Sequence, residues 1–171
     1  MLALTKRSQI PVAAIMSLAL LLFGAGPSPA QAALGKTADS VAADAASLNA
    51  NAVKHTPRSA LNAPAVVAYT VEQMTTASGI AVNEYVGPDA RVFAITWRGR
   101  RPPDLSVLLG SYFAQYQAAA HAGGLTAHGL YHASVRGSDV VVEMAGHMRD
   151  MSGRAFLPAM LPRGVEQSEI R

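Results

Sequence analysis

From Ile80 to Trp97 apolar and polar residues tend to alternate, broken once at Gly87-Pro88-Asp89-Ala90. A period of two is the mark of a half-buried strand, and Gly-Pro-Asp is turn chemistry, so the pattern predicts a hairpin of Ile80–Val86 with Arg91–Trp97. Pairing Val86 with Arg91 places Ile80, Val82, Phe93, Ile95 and Trp97 on one face, and Ala81, Asn83, Ala94 and Thr96 on the other. The preceding stretch, Ala65–Thr75, is rich in β-branched residues and ends at Thr76-Ala77-Ser78-Gly79. It predicts a third strand, completing a meander.

The period then changes. Leu105, Leu108, Leu109, Tyr112, Phe113 and Tyr116 recur at helical spacing. Arg98-Gly99-Arg100-Arg101-Pro102-Pro103 ends the strand, because the prolines lack donors. Asp104 can cap the first helical turn, and Gly123-Gly124 closes the helix beyond His121. This aromatic stripe suits the Trp97 face of the hairpin as a core partner. A second hairpin is predicted from Tyr131–Arg136 and Asp139–Met148 around Gly137-Ser138. With Arg136 opposite Asp139, Tyr131, Ala133 and Val135 face Met144, Val142 and Val140, while His132 faces Glu143.

Upstream, Thr37–Asn49 predicts a short helix with Val41, Ala45 and Leu48 on one face, capped from Thr37, Asp39 or Ser40. Asn49–Pro64 reads as a linker. Downstream, Phe156, Leu157, Met160 and Leu161 lie between prolines and predict an irregular arm across the sheet. The expected fold is therefore α+β: a three-stranded antiparallel meander plus a C-terminal hairpin, packed against one long amphipathic helix, with a short N-terminal helix. Residues 1–32 form a leader, 33–64 the helix and linker, 65–165 the domain with its arm, and 166–171 a loose tail.

The leader changes the picture. Lys6 and Arg7 precede an apolar stretch, Val12–Phe23, that is short of the roughly 20 residues a spanning helix needs. Ala30-Gln31-Ala32 then meets the small-x-small rule, so cleavage is expected between Ala32 and Ala33. The product would be exported, to the periplasm or beyond the cell, with no transmembrane segment left. Removing Lys6 and Arg7 leaves 12 basic against 11 acidic residues, which gives no ground for nucleic-acid binding. The absence of cysteine excludes disulfides, thiol catalysis and Cys-ligated zinc.

Three blocks, "NEYVGPDARVFAITW", "PPDLSVLLGSYFAQY" and "GHMRDMSGRAFLPAMLPRGV", resemble a proteobacterial family of secreted proteins, domain of unknown function 2844. The resemblance runs from Ala33 to Val165. The family's usual Trp-x-Gly-Pro turn reads Trp97-Arg98-Gly99-Arg100 here. The resemblance implies an exported protein and supplies no catalytic residues.

Candidate chemistry is sparse. Arg98, Arg100 and Arg101 beside a helix start form a candidate anion-binding patch. His128 and His147 would face each other if the second hairpin extended, a weak metal pair lacking a third ligand. Ser152, His147 and Asp150 lie close in sequence but lack a nucleophile elbow such as G-x-S-x-G. The expectation is a non-enzymatic binding or envelope-accessory module with no cofactor. Its partner would be another envelope protein or an anionic envelope polymer. The alternative is a small metal-dependent or serine hydrolase. If the leader is removed as expected, the intact mass of the protein recovered from the envelope fraction will correspond to a chain starting at Ala33; a chain retaining residues 1–32 contradicts the assignment.

Overall fold

The computed structural model describes residues 34–51, 53–59, 68–127 and 132–171. The expected leader, the residues Ala32 and Ala33 of its expected cleavage, and the start of the first predicted strand lie outside the described residues, as do His128 and Tyr131.

The fold class needs correction. The strands form one continuous antiparallel sheet of eight, in the order β1-β2-β3-β4-β8-β7-β6-β5, rather than a meander beside a separate hairpin. They are β1 (Lys54–Ser59), β2 (Ala68–Thr75), β3 (Ala81–Val86), β4 (Val92–Gly99), β5 (Leu125–Ala127), β6 (His132–Arg136), β7 (Val141–His147) and β8 (Asp150–Phe156). Two strands come from segments expected to be irregular. β1 lies in the predicted linker and carries Pro57, which is tolerated because β1 is an edge strand. β8 begins the predicted arm and inserts between β4 and β7, joining meander and hairpin.

The reason β8 is hard to recognise is also the reason it fits. Its centre is Ser152-Gly153-Arg154, poor strand material by propensity. Gly153 stands opposite Trp97. A Cβ there would overlap Cζ2 and Cε2 of the indole and stand 2.8 Å from Nε1. Only a glycine leaves room for the Trp97 ring, which is 2% exposed.

Both hairpin registers also differ from expectation. In the first, Val82 pairs with Trp97 and Tyr85 with Ala94, and a bulge next to Val86 lets it pair with Val92. A shift of two residues keeps Val82, Ile95 and Trp97 on one face. The bulge, however, sends Phe93 to the other face, where it meets Tyr69 and Tyr85 at 5.9 and 6.0 Å between ring centroids. In the second, Val135 pairs with Val142 and Ser134, not His132, faces Glu143. The turn is wider than two residues, closed by the Gly137 amide donating to the Val140 carbonyl at 2.8 Å, and Gln115 bonds its polar groups. Gln115 Nε2 donates to Asp139 Oδ2 at 3.1 Å, and Ser138 Oγ donates to Gln115 Oε1 at 2.9 Å.

Helices cover one face. α1 (Ser40–Ser47) is shorter than expected at both ends, and Thr37 bridges to Arg91 instead of capping it. The helix expected from Asp104 is segmented into α2 (Leu105–Leu109), a 3-10 turn (Gly110–Tyr112) and α3 (Phe113–Ala119), broken where Gly110 takes φ 45°. Asp104 caps it: its Oδ1 accepts from the Ser106 amide at 2.9 Å. Leu34, Val41, Ala45, Leu108 and Leu109 bury Ile80, Val82, Ile95, Trp97 and Val142 on this face. A second, smaller core lies on the opposite face. There Phe156, Tyr69, Tyr85 and Phe93 are covered by Val165 and Ile170 from the end of the chain, which was expected to be loose. The hydroxyl of Tyr85 donates to the Arg171 carbonyl at 2.7 Å.

Trp97→Ala is expected to destabilise the domain by about 3–5 kcal/mol, through loss of burial and a residual cavity. Gly153→Ala is expected to cost about 1–3 kcal/mol by overpacking. The two should not add: with the indole gone, the Gly153→Ala penalty should largely vanish. Urea denaturation of both single variants and the double variant measures the coupling. Additive losses would mean that Gly153 serves something other than the ring.

Candidate functional site

The sheet face not covered by helices holds a groove of about 900 Å³ beside the C-terminal segment. It crosses six strands, β2 to β6 in spatial order, a span of roughly 24 Å at ~4.8 Å per strand. Its floor is one row of residues in direct register. Gln73 pairs with Asn83, Asn83 with Thr96, Thr96 with Arg154, Arg154 with Glu143, and Glu143 with Ser134. Every member is polar. In each strand the row sits at the parity opposite to the helix-covered core, so the period of two that builds the core also aims these side chains outward.

The row is wired along its length. Gln73 Nε2 donates to Asn83 Oδ1 at 3.4 Å, and Asn83 Nδ2 donates to Thr96 Oγ1 at 3.2 Å. Arg154 Nε donates to Glu143 Oε2 at 2.7 Å. A second Arg154 nitrogen donates to the carbonyls of Gln167 and Ile170, at 2.5 and 3.2 Å, tying the C-terminal segment to the groove wall. Its guanidinium also stands 5.8 Å from the centroid of Phe156. Ser134 is the exception: its hydroxyl is buried at the groove and has no hydrogen-bond partner among the described residues.

The residues singled out from sequence are scattered. Arg98 reaches the groove, but Asp150 holds it in a bidentate pair: Nε donates to Oδ1 at 2.9 Å and a terminal nitrogen to Oδ2 at 2.7 Å. That hydrogen bonding lowers the Asp150 pKa and raises that of Arg98. Arg100 and Arg101 are exposed beyond the strand end. Ser152 lines the groove and its hydroxyl donates to the Ala145 carbonyl at 3.4 Å. His147 pairs with Asp150 in strand register but does not line the groove, whereas His132 does. His128 lies outside the described residues. Among the described residues no three His, Asp or Glu side chains converge as metal ligands. Sequence reasoning missed Gln73, Asn83, Thr96, Ser134 and Glu143 as site residues. Their signal was their parity within strands, which becomes a site only once the strand order is known.

A second polar cluster lies under α1 on the helix-covered face. Glu72 and Glu84 are paired in register across β2 and β3, and Asp44 from α1 is buried with them. His55 of β1 forms an ion pair with Glu72. Glu84 is 0% exposed, and neither carboxyl oxygen has a hydrogen-bond partner among the described residues. Burial first, then the charges of Asp44 and Glu72, push its pKa from the ordinary 4.5 up to about 9.

The family described as Protein of unknown function (DUF2844) matches residues 30–170. The chain belongs to this family. It agrees with the resemblance carried by the strand–helix block and the Gly-His-Met-Arg tail, and its description assigns no activity. No curated protein and no solved structure matches the chain.

The buried Glu84 generates a prediction about stability. The folded state holds a proton there that the unfolded chain releases near pH 4.5. The contribution of this group to stability is therefore fully present below about pH 4.5 and is lost as pH rises toward about 9. Glu84→Gln cannot ionise, so it should flatten this slope and gain on the wild type as pH rises. Chemical denaturation at a series of pH values decides; parallel curves for the two proteins would show that Glu84 has an ordinary pKa.

Proposed function

We propose that this member of the family is exported and acts as a non-enzymatic binding module, holding an elongated, hydroxyl-rich ligand such as an envelope glycan strand across the groove. The observation that carries the reading is the in-register polar row from Gln73 to Ser134 along the groove floor. Amides and hydroxyls offer donors and acceptors at strand spacing, which suits a chain of repeating hydroxyls. The fixed Arg154–Glu143 pair presents both signs of charge without net charge. The short charged start, apolar run and Ala30-Gln31-Ala32 support export. Hydrolytic chemistry has less support, because the Ser152 hydroxyl is turned to a backbone carbonyl and Asp150 is committed to Arg98.

Calorimetric titration with soluble chito-oligosaccharides and oligogalacturonates of increasing length tests this. Affinity should rise with length and then level off once the groove is filled. Gln73→Leu and Asn83→Leu remove half-buried amides that line the groove with little change in volume, and each should weaken binding by about five- to tenfold while the protein stays folded. Length-independent binding, or variants that bind as wild type does, would sink the assignment.

A further inference from the structure

We propose that one end of the sheet docks on an anionic phospholipid bilayer, with Met148 as the inserting tip and Arg100, Arg101 and Arg149 as headgroup contacts. The antiparallel order brings the β7–β8 turn and the end of β4 to the same end. Gly99 pairs with Met151 and Arg98 with Ser152, so Arg100 and Arg101 leave the sheet beside Asp150 and Arg149.

The charge is one-sided at this end. Of the chain's 11 acidic residues, Asp44, Glu72 and Glu84 are buried under α1, and Glu143 is paired with Arg154. Asp89 sits in the β3–β4 turn, Asp39 follows the Ala38 whose amide donates to the Ala90 carbonyl of that turn, and Asp139 sits in the β6–β7 turn, all at the opposite end of the sheet. Glu166 and Glu169 cap a C-terminal turn on the groove face. Asp104, after the prolines, is committed to its own helix cap. The acid that remains in the strand-end layer is Asp150, and Arg98 neutralises both its oxygens. Arg100, Arg101 and Arg149 are exposed and form no ion pair among the described residues.

Met148 supplies the second, independent feature. It is 96% exposed, the outlying large hydrophobic side chain among the described residues, and it occupies the apex of the tight β7–β8 turn. Arg149 beside it takes φ 69°, a conformation that an arginine adopts at a cost. A single flexible thioether ringed by arginines is too little apolar surface for a stable protein interface, which buries about 800 Å² on each partner. It is enough for a bilayer, where one side chain enters the headgroup boundary while basic neighbours meet lipid phosphates. The groove faces sideways from this end, so the proposal stands independently of the ligand assigned to it.

The test is flotation of the exported protein, in the form the host releases, with vesicles of phosphatidylglycerol and phosphatidylcholine and with vesicles of phosphatidylcholine alone. Wild type should float with the anionic vesicles and lose that association at high salt. Arg100→Ser/Arg101→Ser/Arg149→Gly should weaken it by about five-fold per arginine, on the order of a hundred-fold together. Met148→Ser should weaken it by about tenfold. Lys36→Ser/Arg58→Ser/Arg163→Ser, equal in charge but distributed away from this end, should leave it within about two-fold. Glycine suits the Arg149 backbone, so Arg149→Gly alone and Met148→Ser carry the test if the triple variant does not melt cooperatively. No flotation of wild type with anionic vesicles overturns the proposal, as does equal loss in the charge-matched variant. Displacement by dissolved glycerol phosphate at the same phosphate concentration would mark a small-anion site and overturn the bilayer assignment.

Discussion

The contact between the Trp97 indole and Gly153 holds the two halves of the sheet together. β4 ends the meander and β7 belongs to the hairpin, and neither neighbours the other in the sheet. β8 joins them, with its glycine under the largest side chain of the chain's core. The arrangement trades strand propensity for packing. A glycine costs backbone entropy within a strand, but it lets an aromatic side chain lie flat on the neighbouring backbone and fill the space beneath α2. Without β8, the meander and the hairpin would each expose a sheet edge and half a hydrophobic face.

The site depends on the same insertion. Arg154 follows Gly153, and Thr96 precedes Trp97. The residues that pack downward at the junction therefore set the parity of those that point into the groove. Arg154 then binds Glu143 across one strand interface and the C-terminal carbonyls above. The C-terminal segment is thus both a cover for the Tyr69–Tyr85–Phe93 cluster and a wall of the groove. One strand links the core, the polar row and the chain end.

Charge is sorted by face and by end. Three carboxyl groups are buried together under α1, where Glu84 holds a proton because the low-polarity surroundings and its acidic neighbours disfavour its charge. The arginines, which ionise under all ordinary conditions, are kept at strand ends and surfaces or matched by carboxylates. The strand end bearing Arg100, Arg101 and Arg149 is left positive although residues 33–171 are together nearly neutral. Net charge alone gave no hint of such a surface.

Local chemistry was legible in the residues alone. The turn at Gly87-Pro88-Asp89-Ala90, the Asp104 cap, the Leu–aromatic stripe, the face shared by Val82, Ile95 and Trp97, and family membership all follow from short-range pattern. Each concerns residues within about a turn or a hairpin of one another, where periodicity and steric preference decide. What required the tertiary structure was strand order, and with it the groove. β8 reads as a polar loop because its value lies in what it leaves out at Gly153, and only the position of Trp97 reveals that. The bulge that turns Phe93 over inserts one residue into an otherwise regular alternation. The polar groups of the widened second hairpin are bonded by Gln115, a helix residue more than twenty positions away. Gln73, Asn83, Thr96, Arg154, Glu143 and Ser134 have no sequence period in common. They form a row because long-range strand pairing aligns them, and that pairing is decided by which faces can be buried together rather than by any segment's own preference.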